Sequence, residues 1–240
     1  MVVLNLGCGS RTSPHCLNVD WSPYLRLRKS ALGSRLAPLI LSGIRRQRFE
    51  SLDGSVLVHD LRRPLPVPEG SVDAVYHSHV LEHLDRPLVG PFLERVWSVL
   101  RVGGVQRIVV PDLEVLCRRY LDHLDRLGDD AGEAAEHDSY VAAMIEQMVR
   151  REAAGTREQP SLRRFVENLL LGDARRRGET HQWMYDRVNL GTVLRETGFR
   201  DISVVDYRTS RIPGWGDIRL DELENGEEYL PDSLYMEAVK

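Results

Sequence analysis

Along the first half of the chain, short apolar runs rich in β-branched residues alternate with amphipathic or charged stretches. Val2–Leu6 is apolar and stops at Gly7, which predicts a buried parallel strand ending in a tight loop. Leu17–Asp20 predicts a second strand ending in an acid. Ser55–Leu61 predicts a third, with Asp60 near its end, and Val72–Tyr76 a fourth, entered from the turn-like Pro68-Glu69-Gly70-Ser71. Pro87–Leu100 carries helical spacing, with Leu88, Phe92, Val96, Val99 and Leu100 on one face and Gly103-Gly104 ending it. Val105–Val110 predicts a fifth strand, stopped by Pro111-Asp112.

The rhythm breaks over residues 113–180, which are charged and helical in character. It returns with a helix over Asp186–Thr197, Asp186 at its N-cap and Gly198 after its end. Phe199–Tyr207 and Leu234–Val239 close the chain as two strands, expected to pair as an antiparallel hairpin at the sheet edge. Strands that are apolar runs rather than alternations imply a sheet covered on both faces. The expected fold is a doubly wound, mostly parallel, seven-stranded Rossmann-like sheet with an antiparallel edge strand, all within one domain over residues 1–240. Two insertions, Trp21–Gly54 and residues 113–180, leave strands two and five at their C-terminal ends, where open α/β sheets bind ligands. Both are expected to form a helical lid on the acceptor side.

Composition changes this picture little. With 42% hydrophobic and 28% charged residues the chain is an ordinary globular protein. A net charge of -4 speaks against a nucleic-acid binder held by phosphate contacts. Cys8, Cys16 and Cys117 show no paired spacing, so a reducing compartment and no disulfide framework are expected. No CxxC or HExxH pattern supports a metal site, and none is expected. No signal-peptide core and no apolar run near the roughly 18 residues of a membrane span are visible, so the cytoplasm is the expected location. Leu36–Ile44, flanked by arginines, reads either as a lid helix or as a membrane-surface contact. A homodimer is left open.

The candidate chemistry lies at three successive strand ends. Gly7-Cys8-Gly9 follows strand one, where glycines let the backbone approach a ligand. Asp20, with Trp21 beside it, follows strand two, where a carboxylate can accept both ribose hydroxyls. Asp60-Leu61 follows strand three, the acid facing an adenine amino group and the leucine its ring face. A dinucleotide fingerprint needs a third glycine, a helix behind it and an acid about 20 residues on. Here position 12 is Thr12, Pro14 interrupts any helix, and Asp20 follows Gly9 by only 11 positions. That spacing favours an adenosine-methionine ligand over a nicotinamide dinucleotide.

These segments resemble a family. Leu4-Asn5-Leu6-Gly7-Cys8-Gly9-Ser10 is similar to the first motif of class I S-adenosylmethionine-dependent methyltransferases. His59-Asp60-Leu61 with Pro64-Leu65-Pro66 resembles their third-strand signature. Ser71–Tyr76 followed by His79-Val80-Leu81-Glu82-His83-Leu84 resembles the fourth-strand block of the small-molecule (type 11-like) branch. Leu100–Gly104 resembles the turn before strand five, with Val102 where proline is usual. His181–Asp186 and Glu196–Phe199 resemble the late motifs. The resemblance leaves out both insertions. It implies S-adenosylmethionine as cofactor, with Asn5, Gly7, Cys8 and Gly9 around the methionine and ribose, Asp20 and Trp21 at the ribose side, Asp60 and Leu61 at the adenine, and His77 and Ser78 beside the methionine group. The short segment after Gly9 removes the usual first-helix contacts, and Arg11 is the candidate to meet the methionine carboxylate.

The donor's sulfonium is already a good leaving group, so the protein chiefly aligns two molecules for in-line attack. A hydroxyl acceptor also needs a general base. The candidates are His181, Asp112, His79 and His83, with His77, Glu82 and Tyr185 behind them. His181 and Asp112 form the working pair, since both fall where the second insertion meets the sheet. The acceptor expected is a small molecule or a sugar-containing compound, as in secondary metabolism, methylated on O or N. An inactive methyltransferase-like partner subunit and a nicotinamide oxidoreductase are the rival readings.

Overall fold

The computed structural model describes residues 1–41, 43–126, 131–148 and 180–240. Seven strands form one sheet: β1 (Val3–Leu6), β2 (Leu17–Asp20), β3 (Leu57–Val58), β4 (Val72–Ser78), β5 (Leu100–Pro111), β6 (Arg200–Val205) and β7 (Ser233–Val239). Their spatial order is β3-β2-β1-β4-β5-β7-β6. The first five strands pair in parallel, and β7 runs antiparallel to both β5 and β6. The antiparallel pair therefore closes the sheet at its edge, with the reversed strand β7 one place in and β6 outermost.

The third strand is shorter than the apolar run suggests. The Asp60 carboxylate accepts from the Arg62 amide two residues on, which turns the chain just beyond Val58. Helix α4 (Arg86–Val99) buries Val89, Phe92, Leu93, Val96 and Val99 at i, i+3, i+4, i+7 spacing, and Leu88, on its other side, is left in solvent. Gly103-Gly104 does not end that helix. The chain enters β5 directly at Leu100; Val72 pairs with Leu100 and Ala74 with Val105, so residues 101–104 form a bulge within the strand.

The main core lies between β1, β4, β5, β7 and the helices α4 and α7 (Arg187–Glu196). Asp186 caps α7 by accepting from the amides of Val188 and Asn189, and Asn189 answers on the Asp186 amide, a complete capping box. On the other face Tyr76, Val109 and Tyr235 pack with Trp215 and Ile218 of the short helix α8 (Trp215–Ile218). The first insertion is three helices: α1 (Pro23–Lys29), α2 (Ala31–Ile40) and α3 (Ile44–Glu50). Tyr24, Leu25, Ala37, Phe49 and Leu52 bury one another with Cys8 and Val56 in a small core of their own. Of the second insertion, α5 (Leu113–Leu124) and α6 (Ala131–Met148) are described, and residues 149–179 lie outside the described residues.

Among the described residues, no helix is long and apolar enough to cross a membrane.

Candidate active site

The C-terminal ends of β1, β2 and β3 bring the cofactor candidates together. Gly7 and Gly9 both adopt left-handed torsions, φ 66° and 53°. A Cβ on Gly7 would lie 2.5 Å from Val80 Cγ2, so only glycine fits between this loop and the turn after β4. The loop is fastened to β2: the Gly7 amide donates to the Val19 carbonyl at 2.8 Å, and the Gly9 amide to Asp20 Oδ2 at 2.7 Å. The Ser22 amide donates to the other carboxylate oxygen of Asp20 at 2.5 Å. Two backbone donors thus hold the Asp20 carboxylate in place, while its remaining lone pairs can accept hydroxyls.

No helix separates β1 from β2. Residues 10–16 are instead clasped by two buried asparagines. Asn5 Nδ2 donates to the Arg11 carbonyl and to Asn18 Oδ1, both at 2.9 Å, and Asn18 Nδ2 donates to the Ser13 carbonyl at 2.9 Å. Asn5 is 1% exposed, so its side chain braces the loop from beneath. Cys8 turns into the small core of the first insertion, where burial, with the nearby Asp20 charge, pushes its thiol up to about 12. Arg11 points away from the loop. Its guanidinium donates to the carbonyls of Arg219, Leu220 and Glu222 and stacks over the Tyr229 ring, which leaves it committed to the 219–222 segment rather than to a methionine carboxylate.

Asp60 is gripped by its neighbour. The Arg62 amide and Nε donate to Oδ1, and Nη2 donates to Oδ2 at 2.8 Å. The hydrogen bond from the Arg62 guanidinium holds the Asp60 carboxyl below the usual range against the cost of burial. Three of about four acceptor positions are filled, which leaves one on Oδ2. Leu61 packs on the edge of the main core, and Trp21 is half exposed with the Arg26 guanidinium 4.6 Å above its ring.

His77 does not reach this surface. Its ring has no exposed atom and packs edge-on against Phe92, with centroids 5.4 Å apart. Neither ring nitrogen has a hydrogen-bond partner among the described residues, and burial drives its pKa down to about 3. Strand periodicity explains this: His77 shares the α4-facing side of β4 with Val75, and Ser78, half buried, is the last residue of the strand.

Past β4 the chain turns sharply, and three candidate histidines collect around one carboxylate, Glu82. His79 sits at φ 52°, a torsion rare for a non-glycine residue. Its Nε2 lies 3.1 Å from Ser233 Oγ on β7, and its Nδ1 lies 3.1 Å from Glu82 Oε1, outside hydrogen-bond geometry. Glu82 and His83 occupy a single 3-10 turn, Leu81–His83. Glu82 is fully buried; burial pushes its carboxyl up, but His79 and His83 beside it outweigh that and hold it below its usual value. His83 Nδ1 lies 3.2 Å from the Thr180 carbonyl, and burial keeps the pKa of His83 below the ordinary value against the pull of Glu82. His181 packs edge-on against His83, with ring centroids 4.8 Å apart. Asp112 stands elsewhere: it N-caps α5, accepting from the Glu114 amide at 2.9 Å, and burial raises its carboxyl.

A cavity of about 370 Å³ opens beside His79, lined on its other sides by Leu116, Arg119, Tyr140, Met144 and Ser233. The walls come from α5, α6 and the start of β7. His79 lines it, whereas Asp112, His83 and His181 do not.

Residues 4–108 match the model of a family described as a methyltransferase domain. The match spans less than half of the chain and marks residues 4–108 as similar to a methyltransferase domain. That span holds the Gly7–Gly9 loop, Asp20, Asp60 and the turn with His79 and Glu82. Solved structures similar to the chain include an S-adenosylmethionine-dependent methyltransferase from Archaeoglobus fulgidus, at 15% identity and TM-score 0.45, covering 100% of this chain and 86% of that one. Another is a methyltransferase from Haloferax volcanii in complex with the Trm112 activator, at 15% identity and TM-score 0.43, covering 99% and 81%. A third is the Aquifex aeolicus methyltransferase, at 13% identity and TM-score 0.41, covering 99% and 81%. No curated protein matches. The matched span ends inside β5, and β6, β7 and the second insertion lie beyond it.

The sequence reading missed Arg107. It is fully buried and donates to Asp221, to Glu237 and to the carbonyls of Asp206, Tyr207 and Thr209. An arginine inside the apolar run Val105–Val110 was the available signal, because a charge there is tolerated only if paired.

Proposed function

We propose that the enzyme transfers the methyl group of S-adenosylmethionine to an oxygen or nitrogen of a small-molecule or glycan-type acceptor seated in the cavity beside His79. What supports this is the continuity between the two half-sites. Gly7 abuts Val80, and His79 beside it lines the cavity, so cofactor loop and acceptor wall share one turn.

Asp20 receives the ribose hydroxyls, and the free lone pair of Asp60 the adenine amino group. The first insertion, built around Cys8, frames the cofactor half, and α5 and α6 of the second cap the acceptor. Ring nitrogen Nε2 of His79 faces the cavity beside Ser233 Oγ and takes the proton as the acceptor attacks the methyl carbon in line. Glu82, 3.1 Å from the other ring nitrogen, steadies the charge that forms. Calorimetry with S-adenosylhomocysteine on wild type and Asp20→Ala, joined to turnover of His79→Gln with hydroxyl-bearing acceptors, tests these roles. Expected are lost affinity in the first variant and a fall in kcat of about 100-fold or more with unchanged cofactor affinity in the second. Full turnover in His79→Gln overturns the assignment of the base.

A further inference from the structure

We propose that Glu82, His83 and His181 form a binding site for a divalent transition-metal ion of the zinc type. Three observations converge on it. First, Glu82 has no solvent exposure, and neither carboxylate oxygen makes a well-aligned hydrogen bond among the described residues; Oε1 has His79 Nδ1 at 3.1 Å, and Oε2 has no such neighbour. A carboxylate in that state is costly unless a cation completes it.

Second, the tautomer of His83 aims a lone pair at that carboxylate. The Thr180 carbonyl can only accept, so in the neutral ring Nδ1 carries the proton and donates across 3.2 Å. Nε2 is then an acceptor, and it lies 3.9 Å from Glu82 Oε1. Two acceptors face each other across a gap that suits a cation. A backbone carbonyl that fixes the second nitrogen of an imidazole is the usual support of a metal-ligating histidine.

Third, His181 completes the set. One ligand atom from each of Glu82, His83 and His181 lies within 4.8 Å of the others. Ligand atoms around tetrahedral zinc stand about 3.4 Å apart, so coordination draws these side chains inward by about 1 Å. Two imidazoles and one carboxylate suit zinc or its neighbours in the first transition row and suit magnesium and calcium poorly. Three protein ligands leave one coordination position open, on the side of the half-buried His83 and His181. The Nδ1 of His79 then supports the ligating carboxylate from outside.

The site is invisible to spacing rules, since residues 82 and 83 meet residue 181 only through the fold. It joins the turn that carries His79 to the segment by which the second insertion re-enters the sheet. The proposal stands apart from the acceptor assignment, because it is read by metal binding alone.

The experiment is calorimetric titration of the chelator-treated full chain with zinc chloride, and optical titration with cobalt(II). Expected are one tight zinc per chain, no competition from magnesium, and cobalt absorption bands of low-coordinate N/O geometry. His181→Ala and His83→Gln should each lower affinity by about 100-fold or more, at the upper end of what loss of a mere supporting group costs. Circular dichroism of both variants excludes loss of fold. His137→Ala, which alters the separate His123–His137 stack, should bind as wild type does. Absence of zinc binding, or binding unchanged in both His181→Ala and His83→Gln, overturns the proposal. So does loss of binding in His137→Ala alone.

Discussion

The space a side chain would need at Gly7 is already filled by Val80. The clash, 2.5 Å to Val80 Cγ2, comes on top of a left-handed torsion that costs other residues about 1–2 kcal/mol. Gly7→Ala should therefore weaken S-adenosylmethionine binding by about tenfold or more. Gly7→Ala combined with Val80→Ala should recover part of that loss, because the clash is relieved and the torsion is not. Gly9, with nothing within 4 Å of its missing Cβ, should show only the torsional cost in Gly9→Ala. Calorimetry across wild type, Gly7→Ala, Val80→Ala, the double variant and Gly9→Ala measures the coupling; strictly additive losses in Gly7 and Val80 contradict it.

His77 makes folding sensitive to acid. Folded, its ring stays neutral down to about pH 3; unfolded, it takes a proton near pH 6.5. Below pH 6.5 the unfolded chain therefore binds the extra proton, so stability is full above that value and falls toward pH 3. The slope approaches one proton, about 1.4 kcal/mol per pH unit. Glu82, the charged group that acts on His77 among the described residues, opposes the shift without reversing it. His77→Leu should lose this part of the slope, and should gain about 1 kcal/mol or more at neutral pH because two orphan nitrogens leave the core. Urea unfolding at several pH values reads both effects; equal slopes in the two proteins would refute the account.

Arg107 should tolerate neither Ala nor Lys. Its guanidinium pairs with Asp221 at 2.8 Å and Glu237 at 2.9 Å, all without solvent contact worth the name. Arg107→Ala strands two buried carboxylates, at a cost of about 3–5 kcal/mol. Arg107→Lys offers one point charge where a planar fork serves five acceptors. Thermal unfolding should show both variants well below wild type, with Arg107→Lys between. A melting point within error of wild type for either would be the contrary result.

Two thiols should be nearly inert. Burial raises Cys8 to about 12 and Cys16 to about 11, so at pH 8 only about one Cys8 in 10⁴ and one Cys16 in 10³ is thiolate. Iodoacetamide labelling followed by peptide mass spectrometry should show both reacting at least about 100-fold more slowly in the native than in the denatured chain. Native labelling of Cys8 at the denatured rate would mean that the loop opens readily.

The sheet was legible because its strands are continuous apolar runs, and the Asp186 cap because its partners are two and three residues away. The Gly7–Gly9 loop, Asp20 and Asp60 were legible because each is punctuation at a strand end. What the sequence concealed depends on contacts between distant segments. Arg11 looked available until the 219–222 carbonyls claimed it. His77 looked like a surface residue until the pleat of β4 turned it inward. Asp112 and His181 looked like partners, whereas one caps α5 and the other joins His83 and Glu82.

The insertion of β7 between β5 and β6 sets an order of events during synthesis. Arg107 leaves the ribosome with the cofactor half of the sheet, but Glu237 is made 130 residues later. Until then β5 keeps an open edge and Arg107 lacks one of its two carboxylates. The nascent chain can form its glycine loop and acid ladder early, yet the sheet closes only when the last strand slides into the vacant place. Loss of residues 237–240 would therefore damage the join between β5 and β6 and not only the outermost strand.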